Sequence, residues 1–206
     1  MSVRERVTRR YPVDVTNALM ADGVLAPSST LEALNIVFSA CAPTTAEAVD
    51  LRDFVAGARH AVHVSTSNFF SKAVIDAQAK RGPLPQNITD FLATACTPAL
   101  SKKFLSQVAK STSASRKFAV PQNVTKCAIV RAVYQQQGWR EVLQLTVACE
   151  VVCSIKCAQS KSPVADERVN VDVVASFQSE ITPSGDFDWI LNGFGTTFAK
   201  HNDRHD

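Results

Sequence analysis

The sequence predicts an α+β fold in which N-terminal helices pack on a curved, antiparallel, four-stranded meander. Three observations predict it. From Leu143 to Cys157 every second residue is apolar (Leu143, Leu145, Val147, Cys149, Val151, Cys153, Ile155, Cys157), with Gln144, Thr146, Glu150, Ser154 and Lys156 among the residues between. A second alternating run follows at Val169, Val171, Val173, Ala175, Phe177 and Ile181, with Arg168, Asn170, Asp172, Gln178 and Glu180 opposed to it. Period-two alternation puts successive side chains on opposite faces of a sheet, so each run is a strand with one buried face. Upstream of both runs the apolar residues recur at helical spacing instead. Helices first and contiguous strands afterwards argue for helices covering one face of the sheet.

The elements follow in order. Residues 1–43 form an N-terminal arm, because Pro12, Pro27 and Pro43 punctuate it and leave only short helical stretches such as Leu31 to Phe38 behind Ser28-Ser29-Thr30. Such an arm is expected to make few contacts with its own domain and to lie along other subunits. The domain itself is expected over 44–198, followed by a polar tail over 199–206. Thr44 or Thr45 with Glu47 resembles a capping box, and Leu51, Phe54, Val55, Ala58, Val62, Phe69, Ala73 and Val74 approximate one stripe of a long helix reaching about Lys80, with an interruption near Ser65 to Ser67. Gly82, Pro83 and Pro85 end it. Shorter helices are predicted over Asn87–Ala95 and Pro98–Lys110, the second capped by Thr97 with proline in its first turn. Strands are expected over Val124–Tyr134, Arg140–Cys157, Arg168–Ile181 and Phe187–Phe194, with Pro183-Ser184-Gly185-Asp186 turning between the last two. No internal repeat is visible.

Composition narrows the function classes. With 206 residues, 46% of them hydrophobic, the chain can build one substantial core, and a formal net charge of +3 is far below that of a protein wrapped in nucleic acid. The longest nearly apolar stretch, Ala33 to Ala42, contains Asn35 and Ser39 and is about half a membrane span, so no transmembrane helix is expected. The first twenty residues carry Arg4, Arg6, Arg9 and Arg10 with no apolar h-region, which disfavours secretion and matches both mitochondrial targeting and an ordinary solvated arm. Of the six cysteines, Cys149, Cys153 and Cys157 stand four apart on one strand, about 13 Å from one another and beyond disulfide reach. They are expected to be small core residues with reduced thiols, suited to cytosol or matrix.

The order of elements carries a resemblance. A long helix, two short helices around Phe91-Leu92-Ala93-Thr94-Ala95-Cys96-Thr97-Pro98-Ala99-Leu100, and long strands ending in Asp188-Trp189-Ile190-Leu191, together with Phe69-Phe70, resemble the matrix domain of the import-motor anchor of the mitochondrial inner-membrane translocase, a branch of the nuclear-transport-factor-two-like cone fold. The resemblance covers roughly Thr45 to Phe198. It implies a non-catalytic accessory subunit of a large mitochondrial inner-membrane assembly, a respiratory complex or ATP synthase, acting as an adaptor on the matrix side. Partners implied are other subunits of that complex and cardiolipin or another anionic lipid. A mitochondrial ribosomal protein of the same fold, binding rRNA near the membrane, is the alternative, and a cone-fold isomerase or dehydratase a second one.

Candidate site residues follow from charge. Lys80, Arg81, Lys102, Lys103, Lys110, Arg116 and Lys117 cluster in sequence against the single acid Asp90, and Lys102, Lys103, Lys110, Arg116 and Lys117 are the expected contacts to an anionic surface of lipid or RNA. Charge runs of this kind more often simply face water. Exposed aromatic stacking groups do not accompany these basics on the strands, which makes RNA the weaker fit. Arg4, Arg6, Arg9, Arg10 and Tyr11 are the expected partner-binding residues of the arm. No catalytic, cofactor or metal site is expected. His60 and His63 stand three apart with no third ligand at a fitting spacing, and Tyr134 and Ser179 are the conspicuous polar residues on the inward face of the strands.

Overall fold

The computed structural model describes residues 2–26, 29–43, 49–110, 117–157, 167–181 and 187–198. The chain runs through α1 (Val3–Arg10), α2 (Val13–Ala21), α3 (Thr30–Cys41), α4 (Leu51–Phe69), α5 (Lys72–Lys80), α6 (Gln86–Ala95) and α7 (Pro98–Lys110), then β1 (Lys117–Gln137), β2 (Arg140–Cys157), β3 (Glu167–Ile181) and β4 (Ile190–Phe198). The strands form one antiparallel sheet in the order β1-β2-β3-β4. The fold is α+β, with helices packed on the sheet.

Register in β2 and β3 follows the alternation. Leu143, Leu145, Val147, Cys149, Val151 and Cys153 are buried and pair across the sheet with Ser179, Phe177, Ala175, Val173, Val171 and Val169 respectively. Gln144, Glu150, Asp172 and Gln178 fall on the opposite, wetter face. β2 has the predicted bounds. β1 is longer than the expected Val124–Tyr134, because three register shifts, between Pro121 and Asn123, Val124 and Lys126, and Ile129 and Arg131, move its buried positions off a strict period of two. Its buried residues Ala119, Pro121, Val124, Cys127 and Ile129 show the result. Gly138, at φ +64, and Trp139 form the two-residue hairpin between Gln137 and Arg140, where a glycine at the first turn position supplies the twist that matches paired strands. β4 is displaced relative to expectation: Phe187 to Trp189 precede it as an irregular segment, and Pro183 to Asp186 lie outside the described residues.

The long helix is two helices. α4 starts behind Asp50, whose carboxylate accepts from the backbone N–H groups of Arg52 and Asp53, and ends at Phe69. Ser71 caps α5 by accepting from Val74 N–H, so the break falls at Phe70 and Ser71 rather than at Ser65 to Ser67; Ser65 and Thr66 are buried inside α4 instead. Residues 44–48, with the expected capping box, lie outside the described set. Thr97 caps α7 as expected, accepting from Leu100 N–H.

The arm is the main correction. The described residues of the arm do not stand apart from the domain: Val7, Tyr11, Leu19, Val24, Leu25, Ile36, Val37, Ala40 and Cys41 are buried in the same core as Leu51, Val62 and Val147. The described chain from Val24 to Ala26 adds to the outer edge of β1, with Ile129 N–H donating to Val24 O and Ala26 N–H to Ile129 O, both at 2.9 Å. Arg6 donates to the carbonyls of Ala42 and Pro43, and the Tyr11 hydroxyl to that of Val49. Proline punctuation limits helix length, and it does not prevent several short amphipathic helices from each burying one face. Docking also covers an exposed strand edge that would otherwise present unpaired backbone groups.

Candidate functional site

Sequence reasoning proposed two sets of basic residues, and the fold places them differently. Lys102 is exposed on the outer side of α7, opposite the side that buries Leu100 and packs Phe104 and Val108 on the core, and Lys103, also exposed, stands one turn from Leu100 on the flank between them. Leu105, 47% exposed, lies three residues from Lys102 and so on the same side of the helix. Lys110 ends α7 and Lys117 begins β1, but their side chains lie outside the described residues, as does the whole of Arg116. Lys80 and Arg81 are exposed at the end of α5, which contacts α7. In the arm, Arg4, Arg9 and Arg10 are exposed, whereas Arg6 and Tyr11 are spent on the intramolecular hydrogen bonds described above. Burial pushes the Tyr11 phenol above its ordinary pKa.

Clefts lined by described residues open at three places: beside α7, at the start of α4 and among the arm helices. Beside α7, a cleft of about 370 Å³ is lined by Phe69, Phe70, Phe104 and Phe194, with Lys103 and Gln107 at its polar edge. Its wall is an aromatic cluster: Phe69 meets Phe104 at 4.7 Å, Phe194 at 5.0 Å and Phe91 at 5.7 Å between ring centroids. A second cleft, about 630 Å³, lies between the start of α4 and the segment entering β4. There Phe54 packs edge-on against Trp189 and Phe177, Phe187 stacks on Trp189 with 10° between ring planes, and Arg10, Asp50 and Asp53 supply charge. The third, about 680 Å³, lies among the arm helices between Arg4, Tyr11, Val13, Met20, Leu34 and Phe38. Val13, Leu31, Leu34 and Phe38 are exposed apolar residues on these helices, an unusual concentration for so short a segment.

Two exposed or charged residues escaped the sequence reading. Trp139 at the β1–β2 hairpin is 82% exposed, with the Arg140 guanidinium 4.9 Å from the centre of its ring. The Gly-Trp pair between two polar flanks, a two-residue turn signal, would have revealed it. Glu141 is buried on the inward face with Leu143 and Ser179, and the alternation of β2, extended two residues upstream, places it there. Burial and then the Glu141 carboxylate push the Tyr134 phenol up. Ser179 is buried with its hydroxyl donating to the Glu180 carbonyl. None of the three clefts is lined by Tyr134, Glu141 or Ser179.

Among the described residues no group of three or more His, Cys, Asp and Glu is placed to hold a metal, and no helix is long and apolar enough to cross a membrane. His60 is exposed and His63 half-buried on α4. The thiols of Cys41, Cys96 and Cys153 are buried and pushed up to about 11 by burial. Neither a protein-family model nor a curated protein matches this chain.

Proposed function

We propose that this chain is a non-catalytic accessory subunit of a mitochondrial inner-membrane assembly, a respiratory complex or ATP synthase, that sits on the matrix side as a membrane-peripheral adaptor. The observation that carries the reading is the exposed part of α7, where Lys102 stands one turn from the exposed Leu105 and Lys103 stands exposed on the other flank, at the rim of the phenylalanine-walled cleft. A cation beside an exposed leucine, with a second cation at the rim of an aromatic cleft, suits an anionic lipid surface: the ammonium groups meet headgroup phosphates while the apolar side chain reaches the acyl boundary. The exposed apolar residues of the arm helices, with Arg4 beside them, suit a neighbouring subunit. The order of elements, which resembles the import-motor anchor's matrix domain, supplies the mitochondrial setting of this reading.

Vesicle binding tests it. At roughly 1 kcal/mol per near-surface lysine, replacing Lys102 and Lys103 with Gln weakens retention on cardiolipin-containing vesicles by roughly 30-fold at low salt. Binding of the wild type falls as salt shortens the Debye length, and neutral phosphatidylcholine vesicles retain neither protein. Equal retention of the wild type and the K102Q/K103Q variant at every salt concentration overturns the lipid reading. Tight RNA binding at physiological salt with indifference to cardiolipin replaces it with the ribosomal alternative.

A further inference from the structure

Cys127 and Cys149 occupy directly opposed positions of β1 and β2, and both side chains turn into the core, 4% and 5% exposed. Directly opposed residues of antiparallel strands have Cα atoms about 4.5–5.5 Å apart, inside the range a disulfide spans. Their sulfurs lie 2.7 Å apart, with the Cys149 thiol donating to the Cys127 sulfur. Cys153, the next inward cysteine of β2, faces Pro121 and Val169 instead. The strand around Cys127 is irregular: register shifts between Val124 and Lys126 and between Ile129 and Arg131 bracket it. Interrupted pairing on both sides is where a strand opens locally, which gives a buried thiol access to a small reagent.

We propose that Cys127 and Cys149 are a reversible dithiol–disulfide pair, oxidised by a low-molecular-weight disulfide. The Cys127 thiolate attacks one sulfur of that reagent and expels the first small thiolate. The Cys149 thiolate then attacks the Cys127 sulfur of the mixed disulfide, forms the Cys127–Cys149 bond and expels the second. Two protein thiols are oxidised, one reagent disulfide is reduced to two thiols, and the two protons pass to the departing thiolates. The hydrogen bond from Cys149 holds the Cys127 thiol below its ordinary pKa, with the Arg59 charge acting in the same direction, which marks Cys127 as the first nucleophile. Cys149, whose thiol is pushed up, is the resolving group. The bond would tie β1 to β2 two residues before Ile129, the residue to which the arm chain Val24 to Ala26 pairs, so it staples the platform on which the arm docks. The proposal does not rest on the membrane reading.

The full-length reduced protein is incubated with bis(2-hydroxyethyl) disulfide over a range of disulfide-to-thiol ratios, in buffer and in subdenaturing urea, then quenched with N-ethylmaleimide and digested with trypsin. The expected product is a single linked pair, Cys127–Arg131 joined to Glu141–Lys156, 2 Da lighter than its two thiol peptides. Fragmentation places the link on Cys149, and excess dithiothreitol reverses it. The link persists in the Cys153→Ala variant and disappears in Cys149→Ala. Full alkylation of Cys127 and Cys149 at every ratio, in urea as in buffer, overturns the proposal. So does a wild-type link that joins Cys127 to Cys153.

Discussion

Replacing Leu25 with Ala asks whether the arm belongs to the core. Leu25 is 2% exposed and bridges Ile129 of β1, flanked by the backbone hydrogen bonds of Val24 and Ala26. The substitution removes three side-chain carbons, worth about 2.4 kcal/mol of transfer free energy at ~0.8 kcal/mol per methylene. The surrounding side chains belong to α-helices and a paired strand that relax only in part, so a residual cavity brings the total to about 3–5 kcal/mol. For a chain of this size that lowers the thermal midpoint by roughly 6–20 °C, at about 2–4 °C per kcal/mol. The assay is urea unfolding followed by circular dichroism, with calorimetry for the midpoint. Leu34→Ala is the control: it sits on the outer side of α3 at 43% exposure and should change stability by less than about 0.5 kcal/mol. If Leu25→Ala costs no more than Leu34→Ala at an unchanged m-value, the arm is not docked on β1, and the core described above is mis-drawn.

Two further predictions concern titration and capping. Cys41, Cys96 and Cys153 have folded-state thiols raised to about 11 from a reference of 9.0, so on raising the pH the unfolded chain loses its protons first and the native state keeps them. Their contribution to stability is therefore fully present below about pH 9 and is lost as the pH rises towards about 11. Urea midpoints should fall steadily through that window, less steeply in Cys153→Val, and midpoints that stay level would refute the burial of these thiols. Asp50→Ala removes the acceptor for two N–H groups at the start of α4 and should cost about 1 kcal/mol, while Asp50→Asn retains most of the cap; equal stability of all three proteins would contradict the capping geometry.

Much of the fold was written in local pattern. β2 was legible to its ends, because alternation from Leu143 to Cys157 is uninterrupted and one face of the sheet is buried. α7 was legible because Thr97 and Pro98 mark its start and Ser111 onward breaks the pattern. β1 was legible only in its middle, since each bulge resets the side-chain phase and a period-two reading stops there. The break at Phe70 and Ser71 was misplaced by a few residues because Ser65, Thr66 and Ser67 look like a cap, yet the Thr66 and Ser67 hydroxyls donate to carbonyls one turn back, Val62 and His63, and leave the helix intact.

The sequence by itself determined which segments become helices and strands and which face of each strand turns inward, because 3.6- and 2-residue periods are set by backbone geometry within a few residues. Only the tertiary structure decided that the arm completes the edge of β1, that Phe69 and Phe70 join Phe104 of α7 and Phe194 of β4 in walling the cleft, and that Cys127 meets Cys149. Each of these joins residues far apart along the chain. The hydrogen bonds of Val24 and Ala26 to Ile129 use backbone groups that every residue carries, so no residue type announces them. The Cys127–Cys149 rung is set by the Gly138-Trp139 turn together with the bulge between Ile129 and Arg131, and one residue more or fewer between the strands would send the two sulfurs to opposite faces.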